Sequence, residues 1–350
     1  MSFAIGDRAP AIFGATASGR FYSLDAQAGR PAVLVALGAL GPDGARRVLE
    51  QVRTAQAALV EAGVDIVPIA PMGAGFSSAF AADAEARERI VYLADGAGLE
   101  RCELDGDPAA IFIDASGRIL DIWALDGRSD LTERHYEAAA EASVEAARRR
   151  APSAPVLIMP KLASRALCQA LIDHFEASPH VPGVMASYSG GVAGPKLDEN
   201  KKHRRDIELT PDSPLHAEVL DLMARRVVPE MKRVFQTDIV TIDRILIARY
   251  DDSGGYFKRH RDNAAPHTAF REFAISLNLN TQDYEGGELL FPEYDDHRYS
   301  PSEGSAVIFS ASLLHEAAPV ARGSRYVLLS FLCSAAAQAR LAEAQPPEMA

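Results

Sequence analysis

Two different hydrophobic rhythms meet at one proline-rich joint, and that joint most limits what the chain can fold into. Ala151-Pro152-Ser153-Ala154-Pro155 follows directly on Arg148-Arg149-Arg150. Two prolines in five residues stop a helix, and a basic last turn suits the negative end of a helix dipole. Before the joint, apolar runs alternate with helical patterns. After it, two helical patterns give way to a succession of short β runs. A chain of 350 residues has room for two cores, since a single core rarely grows beyond ~250 residues. The expected division is residues 1–150, residues 151–335, and a tail over 336–350, rich in Ala, Gln, Glu and Pro, that should fray.

In the first half, residues 31–40 (PAVLVALGAL) form a continuous apolar run, as a strand buried on both faces requires. Residues 43–62 carry a helical pattern and residues 64–70 (VDIVPIA) a second strand. Residues 109–114 and 118–123 read as a hairpin about Ala115-Ser116-Gly117, and residues 132–150 as a closing helix. This predicts an α/β layout with a mixed sheet. The opening IGDRAP, the strand-loop-helix from Pro31 and the segment PAAIFIDASG (108–117) resemble the thioredoxin-like fold of the peroxiredoxin family. The resemblance covers about residues 3–127. It implies a peroxidatic cysteine between the first strand and helix, where this chain has Gly38-Ala-Leu-Gly-Pro-Asp-Gly44. No thiolate can form there, so the half is expected to be a non-catalytic thioredoxin-like module. Cys102 lies well downstream, and a lone cysteine is more often a packed hydrophobe than a redox centre.

In the second half, residues 163–177 predict a helix with Leu167, Leu171, Ile172 and Phe175 on one face. Residues 215–235 predict another, with Val219, Met223, Val227 or Val228, Met231 and Val234 at helical spacing. Short β runs follow at 241–250, 273–279, 288–291, 306–309 and 326–332. Many short antiparallel strands after helices predict an α+β domain with a double-stranded β-helix (jelly-roll) core.

Only one of the nine histidines, His260, has an Asp two residues on, in His260-Arg261-Asp262. In extended backbone, positions i and i+2 point to one face, so an imidazole and a carboxylate can reach one ion. His315 follows far along the chain, just after a predicted strand. Two His and one carboxylate on one side of a metal form a facial triad. The H-x-D pair alone is common by chance, but three features give it context. Arg325 lies on an alternating strand ten residues past His315 and offers a planar fork for a carboxylate. Tyr250 ends the strand before His260, and Gly286-Gly287 gives a sharp entry to another strand between the ligand segments.

Three stretches, residues 249–262 (RYDDSGGYFKRHRD), 276–292 and 304–331, resemble the 2-oxoglutarate/Fe(II) oxygenase superfamily, and most its prolyl 4-hydroxylase-type branch. The likeness spans about residues 156–333. It implies His260, Asp262 and His315 as Fe(2+) ligands, Arg325 as the partner of the 2-oxoglutarate C5 carboxylate, and Tyr250 as a hydrogen-bond partner of that co-substrate. It also implies O2 as oxidant, succinate and CO2 as products, and L-ascorbate as a reductant. Prolyl hydroxylases usually carry Lys where Arg325 stands, a departure that touches the substrate more than the co-substrate. The expected activity is hydroxylation of a C–H bond, on a protein or peptide side chain or on a small metabolite.

Other readings fit less of the sequence. His260-Arg-Asp262-Asn263 also spells the start of a kinase catalytic loop, but the V-A-I-K strand and D-F-G are absent. Zinc hydrolysis would leave Arg325 without a purpose. A catalytically silent scaffold, or a thiol peroxidase working through a non-standard cysteine, are the remaining alternatives. The net charge of -12 argues against a nucleic-acid partner, whose phosphates need Lys and Arg. The basic run Lys201-Lys202-His203-Arg204-Arg205 is a departure from that balance, read as a solvated loop. Alternatively, residues 183–205 form a lid in which Arg204, Arg205 or Lys196 meets an acidic group. Three scattered cysteines make no disulfide framework, no basic-then-apolar leader opens the chain, and no run reaches the ~18 apolar residues of a membrane span. A cytoplasmic protein with no membrane partner is expected.

Overall fold

The computed structural model describes residues 4–9, 12–27, 29–37, 40, 42–71, 80, 83–93, 108–125, 131, 135–141, 153–189, 192–196, 198, 200–294 and 296–344. The chain divides into two compact units, Met1–Ser153 with Pro292–Asp295, and Ala154–Phe291 with Asp296–Ala350. No described helix is long and apolar enough to cross a membrane.

The first unit is built on a seven-stranded sheet. Its strands are β1 (Phe13–Ala15), β2 (Phe21–Ser23), β3 (Ala32–Ala36), β4 (Asp65–Pro71), β5 (Val91–Leu93), β6 (Ala109–Ile113) and β7 (Ile119–Ala124), in spatial order β2-β1-β5-β4-β3-β6-β7. Helix α1 (Pro42–Glu61) carries the chain from β3 to β4, which run parallel, while β6 and β7 add antiparallel on the other side of β3. A βαβ crossover joined to an antiparallel hairpin is the thioredoxin-like layout the sequence predicts. Every residue of β3 and β6 is buried, which is why both read as unbroken apolar runs rather than alternating ones. One core packs Val33, Val35 and Phe112 with Val48, Val52 and Leu59 of α1, and Leu34, Ile69 and Ile111 form a second core. Cys102 lies outside the described residues, as does much of the predicted closing helix, of which residues 135–141 are helical.

In the second unit, the strands from Ile239 onward alternate between two sheets, apart from the short strand β17 (Tyr284–Gly286), which pairs with the last of them. Strands β8 (Leu157–Met159), β9 (Val181–Pro182), β14 (Ile239–Asp251), β16 (Phe273–Asn278), β19 (Ala306–Ser310) and β21 (Val320–Ser334) belong to an eight-stranded sheet. Between them in sequence come β15 (Tyr256–His260), β18 (Leu289–Leu290) and β20 (His315–Ala317), all in a four-stranded sheet. That alternation defines a double-stranded β-helix. The large sheet packs one face, with Ile247, Ile275, Ile308 and Leu328 among its residues, against helix α3 (Arg165–Ala177) through Leu167, Leu171 and Phe175. Ser164 caps α3 by accepting from Leu167 N at 3.1 Å.

The helical pattern over 215–235 folds as two α-helices, α4 (Pro214–Leu222) and α5 (Val228–Phe235), joined by a π-helical turn, Met223–Val227. Pro229 cannot donate to the carbonyl four residues back, so the hydrogen-bond ladder is already broken at this point and can accept an extra residue. Val219, Met223, Val227 and Met231 remain on the core, whereas Val234 turns out to be 41% exposed. The tail also differs from expectation. Ala335–Ala344 is a helix, α6, because Ser334 Oγ accepts from Ala337 N and the segment is rich in alanine. Arg340 ties it to Glu272 at 3.1 Å.

Residues 183–205 are not a structureless loop. Met185–Ser189 (β10) and Val192–Lys196 (β11) form an antiparallel hairpin. Lys202–His203 (β12) then pairs with β15, and Arg205–Glu208 (β13) with β14.

Candidate active site

Strand pairing brings the predicted metal ligands together. The link between β14 and β15 turns through Gly254 at φ +100° and Gly255, whose added Cβ would meet Asp251 N at 2.5 Å. After that turn, β15 runs antiparallel to β20 with His260 directly opposite His315. The chain then bends so that Asp262 N donates to Ala311 O at 3.0 Å. The imidazole Nε2 atoms of His260 and His315 each lie 3.5 Å from one oxygen of Asp262. All three candidate ligand atoms fall within 4.8 Å of one another.

The histidines are set in the tautomer a metal requires. Nδ1 of His260 lies 2.8 Å from Lys258 O, and Nδ1 of His315 lies 3.0 Å from Leu313 O. A carbonyl only accepts, so each Nδ1 carries the proton and each Nε2 presents a lone pair. Phe257 stacks on His260 at 3.4 Å between ring centroids, and Phe309 meets His315 edge-on at 4.6 Å. Burial and the neighbouring His315 push the His260 imidazolium down to about 4. Burial alone would raise the Asp262 carboxyl, but His315 and His260 outweigh it and hold the group at about 2. Near neutral pH His260 is therefore a neutral imidazole beside the Asp262 carboxylate.

Arg325 and Tyr250 are direct cross-strand neighbours on β21 and β14. Arg325 is 3% exposed, and its Nη2 donates to Ser276 Oγ at 3.3 Å and to Asn278 Oδ1 at 3.2 Å. Its Nε is buried with no hydrogen-bond partner among the described residues. A buried, unsatisfied guanidinium nitrogen is costly unless an anion completes it. Triad, arginine and tyrosine line one cavity of about 580 Å³, within the usual size of a small-molecule site. The donor set and the incomplete arginine both fit a divalent cation with a dicarboxylate beside it.

The sequence reading left out a buried charge cluster on the cavity wall. Lys202 and Asp206 are buried, and Arg204 between them has a side chain only 6% exposed. Arg204 Nε lies 2.7 Å from Asp206 Oδ1, and Nη2 donates to Oδ2 at 3.1 Å. Nη1 donates to Tyr250 OH at 2.7 Å. Lys202 Nζ donates to Val184 O at 2.7 Å and lies 3.4 Å from Asp206. Burial, then Arg204, pushes the Lys202 ammonium down to about 7. The run is therefore not a solvated loop, and Arg204 already has its acidic partner in Asp206. Arg205 points elsewhere, with Nε donating to His180 Nδ1 at 2.6 Å. The period-two spacing Lys202-x-Arg204-x-Asp206 was the available signal, since it puts three charges on one face of extended backbone.

Comparison with known proteins follows the same lines. Residues 245–333 match the profile of the 2OG-Fe(II) oxygenase superfamily. The chain is 33% identical over 96 residues to a PKHD-type hydroxylase of Maricaulis maris, covering 27% of this chain and 43% of the relative. It is 31% identical over 122 residues to a PKHD-type hydroxylase of Picosynechococcus, covering 34% and 55%. The chain thus spans about half the length of these curated relatives. Solved structures similar to it include a Pseudomonas putida prolyl-4-hydroxylase, at 18% identity and TM-score 0.40, covering 55% of this chain and 97% of that one. Another is the thioredoxin domain of a Bacteroides vulgatus thiol-disulfide oxidoreductase, at 21% identity and TM-score 0.34, covering 41% and 99%. The match to the 2OG-Fe(II) oxygenase superfamily thus falls at the C-terminal end of the chain, over residues 245–333.

Proposed function

We propose that this protein is an Fe(II)- and 2-oxoglutarate-dependent dioxygenase that hydroxylates a C–H bond of a protein or peptide side chain. The observation that carries the reading is the convergence of His260, Asp262 and His315 beside a buried arginine whose Nε lacks a hydrogen-bond partner among the described residues. Iron(II), when bound, supplies the O2 chemistry that couples decarboxylation of 2-oxoglutarate to oxidation of a substrate C–H. The protein's part is binding, orientation and exclusion of water.

In this account His260, Asp262 and His315 are the residues that would hold the ion. Arg325, held by Ser276 and Asn278, takes the far carboxylate of 2-oxoglutarate, and the Tyr250 hydroxyl hydrogen-bonds the same molecule. Phe257 and Phe309 fix the imidazole planes and shield the ligands. A peptide substrate is favoured over a free metabolite because the relatives matched are named hydroxylases of the PKHD type and include a procollagen lysine hydroxylase from Rattus norvegicus.

The test is O2-dependent succinate formation by the iron-loaded protein against a library of peptides and metabolites. A peptide that raises succinate release and gains one oxygen atom by mass is the expected result. Stimulation by metabolites alone would move the substrate to that class, and no stimulation with full iron and 2-oxoglutarate binding would favour a silent scaffold.

A further inference from the structure

Tyr250 is not a free phenol. Its oxygen receives Arg204 Nη1 at 2.7 Å, and two guanidinium groups lie over its ring, Arg325 at 5.3 Å and Arg204 at 5.5 Å from the ring centroid. A guanidinium donates and never accepts, so the tyrosine oxygen is committed as acceptor on that side. With Arg204 Nη1 taking one lone pair of that oxygen, the phenolic hydrogen turns away from the guanidinium, and Tyr250 lines the cavity. Arg204 itself is fixed by its two contacts to Asp206. Lys202 shares that carboxylate at 3.4 Å, so Asp206 is held from two sides.

We propose that Arg204 is a positioning residue: through Tyr250 it converts an ambivalent hydroxyl into a dedicated donor to a carboxylate oxygen of the co-substrate. The inference rests on the reading of the cavity as a 2-oxoglutarate site. Arg204 need not touch the co-substrate, and Asp206 acts one step further back by holding the guanidinium plane. The arrangement assigns a purpose to burying two cations and one acid beside the site, where an apolar wall would cost less.

The test is a double-mutant cycle read by calorimetric titration of 2-oxoglutarate into the full-length protein loaded with Mn(II), which stands in for iron without turnover. Tyr250→Phe should weaken binding roughly tenfold, the usual effect of losing a hydrogen bond to a charged group. Arg204→Gln is preferable to Asp206→Asn, because it leaves Lys202 and Asp206 as a matched pair instead of two uncompensated cations. It should weaken binding roughly three- to tenfold in the parent, yet less than about twofold in the Tyr250→Phe background. Equal losses in both backgrounds, or none in the parent, would overturn the proposal. Mn(II) affinity without co-substrate reports whether each variant is folded. If Arg204→Gln loses Mn(II), Arg204→Lys carries the same cycle, since one ammonium cannot reproduce the forked hydrogen bonds to Tyr250 and Asp206. Arg325→Ala separates the two levels: intact 2-oxoglutarate binding there sinks the site reading itself, whereas lost binding with an additive cycle sinks only the role of Arg204.

Discussion

His260 and His315 each spend one ring nitrogen on a backbone carbonyl two residues earlier, and that fixes which nitrogen faces Asp262. The H-x-D spacing was readable because extended backbone sends i and i+2 to one face. The convergence with His315 came only from the family resemblance, since the residues alone do not say which strands pair. Arg325→Ala should weaken 2-oxoglutarate by about two orders of magnitude, as loss of a charged bidentate contact implies, with Mn(II) affinity within about twofold of the parent by titration. Lys202 yields a pH prediction. Its folded value of about 7 lies below the ordinary 10.5, so between those limits the unfolded chain holds a proton the folded chain has released. Stability should therefore rise with pH across that window, and Lys202→Met should flatten the rise in denaturant titrations at pH 7 and 10. Equal slopes in both proteins would mean that Lys202 is hydrated and titrates normally. The burial of this lysine was hidden because the run 201–205 looks like any basic surface patch until its partner strands cover alternate residues.

Elements aim these residues, and two glycines show how narrow the tolerance is. Gly286 and Gly287 have φ of +82° and +70°, a region that disfavours side chains. A Cβ on Gly287 would lie 2.9 Å from Arg325 Cδ, and one on Gly286 only 2.4 Å from Pro319 O. Gly287→Ala should thus displace the arginine and weaken 2-oxoglutarate roughly tenfold, while Gly286→Ala should cost on the order of 1–2 kcal/mol of stability before its clash is counted. Calorimetry and chemical denaturation on the pair measure the two effects separately, and an unchanged co-substrate affinity in Gly287→Ala would contradict the first. A second device is the irregularity in β14 between Asp243 and Ile245, where Arg244 has φ +56°. Ser330 Oγ donates to Arg244 O there at 2.5 Å, and Asp243 meets Arg271 at 3.0 Å on the cavity wall. A β-bulge of this sort re-aims side chains next to a site. Most strands and helices were legible from periodicity, because each has a one-sided or two-sided core to satisfy. The π-turn, the bulge and the hairpin over 185–196 were not, since each is set by tertiary partners rather than by a repeat in the residues.

The molecule as a whole combines a thioredoxin-like unit and a double-stranded β-helix unit, each with its own hydrophobic core. The change of rhythm at Pro152 and Pro155 made that division visible, whereas the absence of a cysteine between 38 and 44 gave no hint of what the first unit does. Since the triad, Tyr250 and Arg325 all lie in the second unit, residues 154–350 alone should bind Mn(II) and 2-oxoglutarate within about threefold of the full chain. A soluble, folded fragment that binds neither would show that the site needs more than its own unit. The central claim is that one cation is held by side chains 55 residues apart in sequence, from His260 to His315. Anaerobic equilibrium dialysis with Fe(II) tests it most directly, on the parent and on His260→Ala, Asp262→Ala and His315→Ala. One equivalent of iron per chain, with each substitution weakening it more than about 100-fold, is the predicted result. Full stoichiometry and affinity in all three variants would contradict the account.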